Sequence, residues 1–578
     1  TIWFLPRAPY FWFLSFLSQN NANTVLPQAL TFLILMITAT VSVYFLVRET
    51  VVSKLKLKSA KNVALLSGIF YLLNPYSMTQ IWGRGLYTQF FGFALTPLFL
   101  LLVIRAINKK SLTLASLAVV VTFVFSPAFV TQTQVLVLWV PALLYLGFYL
   151  SKNKKNKAEV LSAILISVFI GVFFLLVHAW WIIPTTLFAK GQYSFLLESS
   201  EYNLGSLRGV SRQFPPSYVI RLIHDMYFFS AKLYGEIYSS VLFKLISWII
   251  PIVSLFSISI LKKTEHFKFY LFLFAVSLFI SLGSNFPTGP IFEWLFLKIS
   301  YLQSLRNPFE KFGLVFMLAY APFFSLGTYN LASELSRNFS YKKNRIFLLT
   351  IGTIVVLVSG VYVWPMWTGH FAGGFKINPW IEVPEYYEEV DRWLSEKGAD
   401  FRIIHVPLLP GDGVRYNWLN SYQGLEPSEY LFNYSSISRN VGVNKPFYNI
   451  LLERFDSFQS NVFGPDPDTS SSDFRGNTLA EELAKLNIRY IVLHNDIDHK
   501  LAGSKSSEET EQFLLEQEKI QKVKSFGKLD IYEVDIPDSI SSLYSPDIKI
   551  VYIKKNPTEY LAKVKNAKEP FDIYFLNL

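Results

Sequence analysis

The sequence predicts a polytopic α-helical membrane protein with about ten spans, followed by an extracytoplasmic C-terminal domain of mixed α/β structure. Of the 578 residues, 52% are hydrophobic and only 16% are charged, whereas about 25% of the residues in soluble domains carry a charge. Apolar runs of about 18 residues or more recur from Leu30 onward, and such runs can cross a bilayer as helices. From about residue 370 the apolar runs give way to short strand and helix patterns.

The net charge of +11 is unevenly divided along the chain. Residues 1–364 hold 30 Lys/Arg and 10 Asp/Glu, a balance of +20, whereas residues 365–578 hold 23 and 32, a balance of −9. The second part is therefore typical of a solvated acidic domain, and no nucleic-acid-binding signature is present. Because the chain has no cysteine, disulfides, thiolate nucleophiles and cysteine metal sites are excluded. The seven histidines show neither HxxxH nor HExxH spacing, so we find no metal motif.

The ten predicted spans lie at about residues 28–48, 62–79, 88–106, 112–129, 131–150, 160–184, 240–260, 268–283, 312–332 and 346–364. Five short loops hold 19 of the 30 basic residues in 42 positions, and they alternate along the chain with the other loops. Because positive loops stay in the cytoplasm, we place on that side residues 48–61, 105–110, 152–157, 262–268 and 337–345. The N-terminus, the other loops and the C-terminal domain then face outward.

Four regions follow from this pattern. Residues 1–27 are aromatic at first and polar later, which is typical of an interfacial helix on the outer leaflet, with a buried re-entrant segment as the alternative. Residues 28–364 form the transmembrane domain, with large outer loops at 185–239 and 284–311. Residues 370–578 form the outer domain, where we predict strands in "DFRIIHVPLL", "IKIVYIKKN" and "EPFDIYFLNL", a helix and strand in "LAEELAKLNIRYIVLHN", a hairpin in "VKSFGKLDIYEVD", and a flexible loop at 464–473.

Two cationic stretches are candidates for binding an anion. Arg84 lies between two glycines in a very short outer loop, where a guanidinium group and exposed backbone N–H groups could hold a phosphate. The alternative is an interfacial arginine that reaches lipid headgroups. In "SLRNPFEKFG", Arg306 and Lys311 flank an Asn-Pro turn just before a span, and could clamp a phosphate or diphosphate while Glu310 orients Arg306. A structural salt bridge of Glu310 with either cation is the alternative.

Aromatic and acidic residues near the longest outer loop are further candidates. His178, Trp180 and Trp181 lie near the outer end of the sixth span and could line a sugar or lipid groove, or simply belong to the aromatic belt of the membrane. The catalytic residue stays unassigned. The candidates for a general base are Glu198 and Glu201, together with Asp225, the first aspartate of the chain, although each could equally be a solvated loop charge.

The same loops carry a resemblance to a known family. "FYLLNPYSMTQIWGRG…ALTPL" followed by "SLRNPFEKFG" resembles the polytopic glycosyltransferases of the GT-C superfamily, in particular arabinofuranosyltransferase-D-like proteins and their archaeal relatives. "VPEYYEEVDRWL…DFRIIHVPL", "LAKLNIRYIVLHND", "FGKLDIYEV" and "NPTEYLAKVKNAKEPFDIYFLNL" are similar to the soluble region of those proteins. The resemblance implies a transferase of the cell membrane that takes a sugar from a polyprenyl-phosphate donor at the outer face and passes it to an envelope glycan or glycolipid.

The chain departs from the superfamily in one respect. The resemblance implies a catalytic Asp or Glu in the first outer loop, yet residues 1–27 contain no carboxylate. We therefore expect that the chain is a piece of a longer protein, with its catalytic loop upstream and a β-rich module downstream, or that it lacks this loop. A non-catalytic membrane subunit that binds an envelope partner or glycan is the main alternative, and a transporter is the third. We identify no cofactor motif, and a divalent cation is left as an open alternative.

Overall fold

The structure of the chain is a computed structural model. It describes residues 2–18, 25–55, 60–198, 204–223, 237–337, 341–369, 381–398, 401–408, 414–419, 422–424, 427–437, 479–499, 504–535, 543–545, 548–556, 559–565, 567, 569, 571 and 573–575. The chain divides into two compact units, residues 1–379 and residues 380–578. The predicted loop at 464–473 lies outside the described residues.

The first unit is helical throughout the part described. Its α-helices are α1 (Ala8–Ser18), α2 (Val25–Thr50), α3 (Ala60–Leu72), α4 (Tyr87–Lys109), α5 (Leu112–Val124), α6 (Gln134–Lys152), α7 (Lys157–Glu198), α8 (Leu204–Gln213), α9 (Pro216–Val219), α10 (Val241–Leu255), α11 (Ile258–Leu261), α12 (Phe267–Leu282), α13 (Gly289–Lys298), α14 (Pro308–Leu335) and α15 (Tyr341–Tyr362). Short 3₁₀ helices lie at Ile2–Arg7, Val52–Lys54, Ser126–Val130, Ser300–Leu305 and Trp364–Met366, and a π-helix at Ser77–Gly83.

Among the described residues, six helices are long and apolar enough to cross a membrane: Leu26–Thr50, Tyr87–Lys109, Gln134–Lys152, Lys157–Leu187, Val241–Leu261 and Pro308–Leu335. The other predicted spans coincide with four shorter apolar helices, Ala60–Leu72, Leu112–Val124, Phe267–Leu282 and Ile346–Tyr362. The chain is a multi-pass membrane protein, and a total of ten spans stays a prediction. The shorter helices contain 13 to 17 residues, fewer than the roughly 20 that cross a bilayer without tilt or thinning.

Two helices form the centre of the bundle. In α4 and α14 the apolar window is 89% and 94% buried, whereas in α7 it is only 22% buried. α14 packs against α3, α10 and α12, and α4 packs against α2 and α5. The outer helices present apolar side chains outward, as lipid-facing helices do. α14 therefore brings the polar residues of its first turn to the middle of one end of the bundle.

Ion pairs connect the basic loops to neighbouring helices and loops at the end of the bundle opposite to the first turn of α14. Arg105 at the end of α4 donates hydrogen bonds to Glu49 at the end of α2. Lys110 pairs with Glu159 at 2.6 Å, and Lys152 pairs with Glu265 at 2.7 Å. Four of the five basic loops are thereby in contact with a neighbouring helix or loop at the same end. The assignment of this end to the cytoplasm remains a prediction from the charge bias.

Residues 2–18, the first described part of the predicted interfacial segment, are helical. The 3₁₀ helix Ile2–Arg7 leads into α1, where Trp12 and Phe16 are 70% and 66% exposed. The segment is fixed to the bundle by Ser126, whose hydroxyl donates to the Pro6 carbonyl oxygen at 2.7 Å. Its predicted position along a membrane surface stays a prediction.

The second unit contains a five-stranded mixed sheet with helices on both faces. Its helices are α16 (Glu385–Ser395), α17 (Ser428–Leu431), α18 (Leu479–Lys485) and α19 (Ser507–Leu515). Its strands are β1 (Arg402–Val406), β2 (Val414–Tyr416), β3 (Tyr422–Gly424), β4 (Ser435–Ile437), β5 (Ile488–His494), β6 (Ile520–Phe526), β7 (Leu529–Val534), β8 (Leu543–Tyr544), β9 (Ile550–Asn556), β10 (Glu559–Val564) and β11 (Tyr574–Phe575). The order is β4-β1-β5-β7-β6. Strands β4, β1 and β5 are parallel to one another, whereas β7 is antiparallel to both of its neighbours, β5 and β6.

Alternation along the strands creates a core on each face of the sheet. On β1, Ile404 and Val406 pack with Leu483 of α18, whereas Ile403 packs with Tyr387 and Val390 of α16 on the opposite face. Both central strands are buried almost throughout, which explains their near-continuous apolar sequences.

The predicted strands in "DFRIIHVPLL" and "IKIVYIKKN" are confirmed as β1 and β9. The predicted helix and strand of "LAEELAKLNIRYIVLHN" are confirmed as α18 and β5. The predicted hairpin is β6–β7, and its turn contains Gly527 at φ +53°. Within the described part of the last predicted strand, Tyr574 and Phe575 form β11.

Candidate functional site

The candidate site begins just after α3, at the Asn74-Pro75 dipeptide. The Asn74 amide donates to the carbonyl oxygens of Phe70 and Tyr71, both at 2.9 Å, and its oxygen accepts from the Ser77 N–H at 3.1 Å. These bonds satisfy backbone groups left open where α3 stops. The chain continues as the π-helix Ser77–Gly83, a form that is rare and frequent at functional sites. Arg84 follows directly, so the π-helix sets the position of its guanidinium group.

Tyr76 connects this segment to the first turn of α14. Its hydroxyl donates to the Glu310 carbonyl oxygen at 2.7 Å, and its ring meets Phe309 edge-on at 5.3 Å between centroids. The ring lies directly against Gly313, where a Cβ atom would be far inside van der Waals contact with it. The glycine of "NPFEKFG" is therefore required for the close approach of Tyr76 to α14.

Arg84 and Glu310 form an ion pair between these two elements. Arg84 Nη1 lies 3.1 Å from Glu310 Oε2, and the side chains are 21% and 4% exposed. Asn307 Nδ2 donates to the same carboxylate oxygen at 3.0 Å. A carboxylate buried this deeply requires a cation and hydrogen-bond donors around it. The sequence offered Arg306 and Lys311 as salt-bridge partners of Glu310, whereas the ion pair that the structure describes joins Glu310 to Arg84.

Lys311 lies beside this pair, next to Glu310 in the first turn of α14. The side chain is half-buried, and its ammonium group makes no hydrogen bond and no ion pair with the described residues. A narrow cavity of about 10 Å³ separates it from Gln89, Thr133 and Gln134, which is near the smallest volume that holds one water. The Thr133 hydroxyl is buried there and lacks a hydrogen-bond partner among the described residues.

The predicted phosphate-binding residues therefore lie together. Arg84 and Arg306 are both close enough to Lys311 for their charges to act on it, and Glu310 supplies the opposing charge. Three cations and one carboxylate give this group of four residues a formal charge of +2. The cavity is lined by Glu310 and Lys311, and Arg84 adjoins it through Glu310. The binding role of these residues, and the orienting of Arg306 by Glu310, stay predictions.

The aromatic candidates are held in the packed interior of the bundle. Trp181 Nε1–H donates to His178 Nδ1 at 2.9 Å, and His178 Nε2 lies 2.8 Å from the Thr122 hydroxyl. Because Nδ1 accepts, the ring proton belongs on Nε2, and both ring nitrogens are used. The Trp181 ring stacks on Phe129 and is only 5% exposed. Trp180 packs edge-on against Phe123, and its buried indole nitrogen has no hydrogen-bond partner among the described residues. Their role in a sugar groove remains a prediction.

The carboxylate candidates fall mostly beyond what the structure describes. Glu201 and Asp225 lie outside the described residues, and Glu198 is described only as the last residue of the α7 backbone. Glu293 of α13 accepts two hydrogen bonds from Arg208 of α8, at 2.8 and 2.7 Å. The described side chains at this end therefore include two carboxylates, Glu293 and Glu310, and both are paired with arginine.

The second unit holds a buried polar cluster that sequence reasoning missed. Asp496 Oδ2 accepts hydrogen bonds from Tyr386, Tyr387 and Trp418, at 2.9, 2.9 and 2.7 Å. Although burial opposes ionisation, these bonds and the neighbouring His494 hold the pKa of Asp496 below its usual value. His494 in turn lies 2.9 Å from His405. No spacing signal links these residues, because the parallel pairing of β1 and β5 brings together positions 89 residues apart.

The apolar helical bundle, followed in the chain by a mixed α/β unit, defines the class of polytopic membrane proteins with a folded domain outside the spans. Residues 3–570 match the family described as alpha-(1->3)-arabinofuranosyltransferase, N-terminal GT-C domain. Because the match covers nearly the whole chain, the chain belongs to this family of cell-envelope glycosyltransferases. No curated protein matches the chain.

Solved structures of arabinofuranosyltransferase AftD from Mycobacteria share this fold. One cryo-electron microscopy structure superimposes with a TM-score of 0.58 at 14% sequence identity, over 93% of this chain and 36% of that one. Two structures of a mutant of that enzyme superimpose with TM-scores of 0.55 at 13% identity, over 92% of this chain and 37% of theirs. The chain thus spans little more than a third of the length of the proteins it resembles in structure.

Proposed function

We propose that the chain transfers a sugar from a polyprenyl-phosphate donor to an envelope glycan or glycolipid at the outer face of the cell membrane. The observation that carries the proposal is the Lys311 ammonium beside the buried Arg84–Glu310 pair, since it has no hydrogen bond or ion pair to any described residue. A polyprenyl phosphate is an anion on a hydrocarbon chain, so its site needs cations at the end of a membrane bundle. The cluster has this placement, because Lys311 is in the first turn of a central helix.

In the proposed reaction the bond between the sugar's anomeric carbon and the phosphate oxygen breaks, and negative charge develops on the leaving phosphate. Lys311 and Arg306 would stabilise this charge with donors that are already in position. Glu310 would keep Arg84 oriented and limit the repulsion between the cations. The acceptor hydroxyl gives its proton to a base that we leave unassigned, with Glu198, Glu201 and Asp225 as the proposed candidates.

A transfer assay tests this function directly. The protein, reconstituted in liposomes, is given a synthetic polyprenyl-phosphate arabinofuranose and an arabinan acceptor, because the family description specifies arabinofuranosyl transfer. We expect Lys311→Ala to lower the rate about 10- to 100-fold, because hydrogen bonds to a charged group contribute about 1.5–3 kcal/mol. Lys311→Arg should retain more activity than Lys311→Ala, since it keeps the charge.

Lys298→Ala is the matched control, because Lys298 is an exposed lysine at the end of α13. It should leave the rate unchanged. Equal activity of the Lys311→Ala variant and the wild type would contradict the proposed phosphate site.

A second candidate function is a non-catalytic subunit that binds an envelope partner. It is favoured by one observation: the two described carboxylates at the cationic end, Glu293 and Glu310, are both ion-paired. The same assay separates the two functions. A wild-type chain that binds the donor and never transfers its sugar, with every acceptor offered, supports the subunit.

A further inference from the structure

A second binding feature lies in the membrane-spanning part, well away from the cationic cluster. Helices α3, α14 and α15 enclose an apolar groove of about 300 Å³. Leu65, Leu349 and Leu357 line it and are 49%, 47% and 62% exposed, so the groove opens along the side of the bundle. A groove of this volume is in the range of small-molecule sites.

The hydroxyls of Thr328 and Ser325, two of the polar residues that line the groove, are hydrogen-bonded within the bundle. Thr328 Oγ1 donates to the Phe324 carbonyl oxygen at 2.9 Å within its own helix. The Ser325 and Ser67 hydroxyls bond to each other at 2.6 Å. Ten of the sixteen lining residues are Val, Leu, Ile or Ala, and Asn62, Tyr329 and Thr353 are the remaining polar members. The lining therefore suits a hydrocarbon chain better than a polar ligand.

Gly352 keeps the groove open. It lines the groove on α15, and a Cβ atom at this position would meet nothing within 4 Å. A glycine inside a helix costs about 1 kcal/mol relative to alanine. An interior glycine that faces empty space, rather than a close neighbouring helix, has no packing reason in the bundle itself.

The groove is at the opposite end of α14 from the cationic cluster. Thr328 is 17 residues beyond Lys311, which corresponds to about 26 Å along the helix, and the hydrocarbon core of a bilayer is about 30 Å thick. The groove therefore lies in the leaflet opposite to the cluster. At its own end, Lys61 precedes the lining residue Asn62, and the exposed Arg337 follows α14. The Arg337 guanidinium group lies 4.0 Å from the Glu334 carboxylate.

We propose that this groove binds one hydrocarbon chain of a bilayer phospholipid from the leaflet opposite to the cationic cluster. The occupant is a resident lipid, distinct from the donor lipid of the proposed reaction, whose phosphate belongs at the other end of the bundle. The inference does not depend on the proposed function, because it rests only on the groove and on the membrane location of the helices.

Photocrosslinking tests the inference on the full chain in nanodiscs. The probe is phosphatidylglycerol with a diazirine on one acyl chain, and adducts are mapped by peptide mass spectrometry. We expect adducts on α3, α14 and α15 in the stretches that line the groove. Gly352→Leu should fill the groove and lower their yield at least fivefold, with an unchanged unfolding temperature. Gly147→Leu, which also adds a side chain where a Cβ meets nothing within 4 Å, should leave the yield unchanged.

Three results would overturn the proposal. Wild-type protein with no adducts on these stretches would show that no phospholipid chain enters the groove, and this result needs no variant to fold. An equal yield in Gly352→Leu and the wild type would place the labelled lipid elsewhere. Loss of the adducts on addition of excess undecaprenyl phosphate would assign the groove to the polyprenyl chain of the donor.

Discussion

Glu310 shows how one carboxylate organises the cationic end of the bundle. Its side chain is 4% exposed and it interacts with Arg84 and Asn307, while its backbone oxygen accepts from Tyr76. The sequence indicated that Glu310 would meet a cation, but the neighbours in sequence, Arg306 and Lys311, were the candidates considered. The described partner comes from a segment 226 residues earlier in the chain, and contacts of that separation cannot be derived from spacing.

A double-mutant cycle on Arg84 and Glu310 measures this organisation. Glu310→Gln leaves Arg84 without its charge partner in a largely buried place, so we expect a loss of about 2–3 kcal/mol in the free energy of unfolding. Arg84→Gln should cost a similar amount, and the double variant should lose at least 1 kcal/mol less than the sum. Unfolding in mixed detergent micelles gives the values. Strictly additive losses would mean that the two side chains do not interact.

At the scale of elements, the apolar segments could be predicted from the sequence, but the contacts that connect them could not. The spans and the strands β1 and β9 follow from hydrophobic patterns, which report burial directly. The π-helix after α3 and the contact of Tyr76 with Gly313 leave no such periodic signal. They depend on which helix is adjacent in space. Likewise, the sequence grouped the basic loops on one side, and their ion pairs explain why loops of like charge tolerate each other.

Gly313→Ala tests the joint between the π-helix and α14. A methyl group at this position would overlap the Tyr76 ring, and overpacking of this kind typically costs about 1–3 kcal/mol. We expect a lower unfolding temperature and reduced sugar transfer, because the ring must move and its hydrogen bond to Glu310 must lengthen.

Tyr76→Leu in the Gly313→Ala background provides the control, since it removes the ring that the new methyl group meets. The double variant should recover part of the lost thermal stability. If Gly313→Ala alone unfolds at the wild-type temperature, the Tyr76 ring does not pack closely against Gly313.

At the scale of the whole molecule, the two units differ in how they treat buried polar groups. In the membrane unit such groups bond mainly to nearby helix carbonyls, as Thr328 and Ser254 do. The second unit instead buries a connected set of titratable side chains under its sheet. Burial, together with the nearby His494, lowers the pKa of His405 well below its ordinary value. A histidine held neutral in the folded state links stability to pH.

The sign of this linkage is fixed by the lowered pKa. Above about pH 6.5 His405 is neutral in both the folded and the unfolded state, so its titration does not lower the free energy of unfolding. Below that pH the unfolded chain binds a proton that the folded unit does not, and stability falls by up to about 1.4 kcal/mol per pH unit. The free energy of opening of the β1 and β5 amides, from hydrogen exchange corrected for intrinsic rates, should therefore decrease between pH 7.5 and 5.5.

His405→Gln should flatten this decrease, because it removes the titrating ring. Asp496 also links stability to pH, but at lower pH. Its contribution to the free energy of unfolding is lost below about pH 4, where the carboxyl group of the unfolded chain becomes protonated. If the opening free energy of the His405→Gln variant depends on pH as steeply as that of the wild type, His405 is not the group responsible.

The most direct test of the central claim is the affinity of the purified chain for undecaprenyl phosphate, measured by titration in nanodiscs with the wild type, Lys311→Ala and Lys298→Ala. If the cationic cluster holds a lipid phosphate, Lys311→Ala binds at least tenfold more weakly, a loss of about 1.4 kcal/mol, while Lys298→Ala binds as the wild type does. Equal affinities of all three proteins would contradict the account.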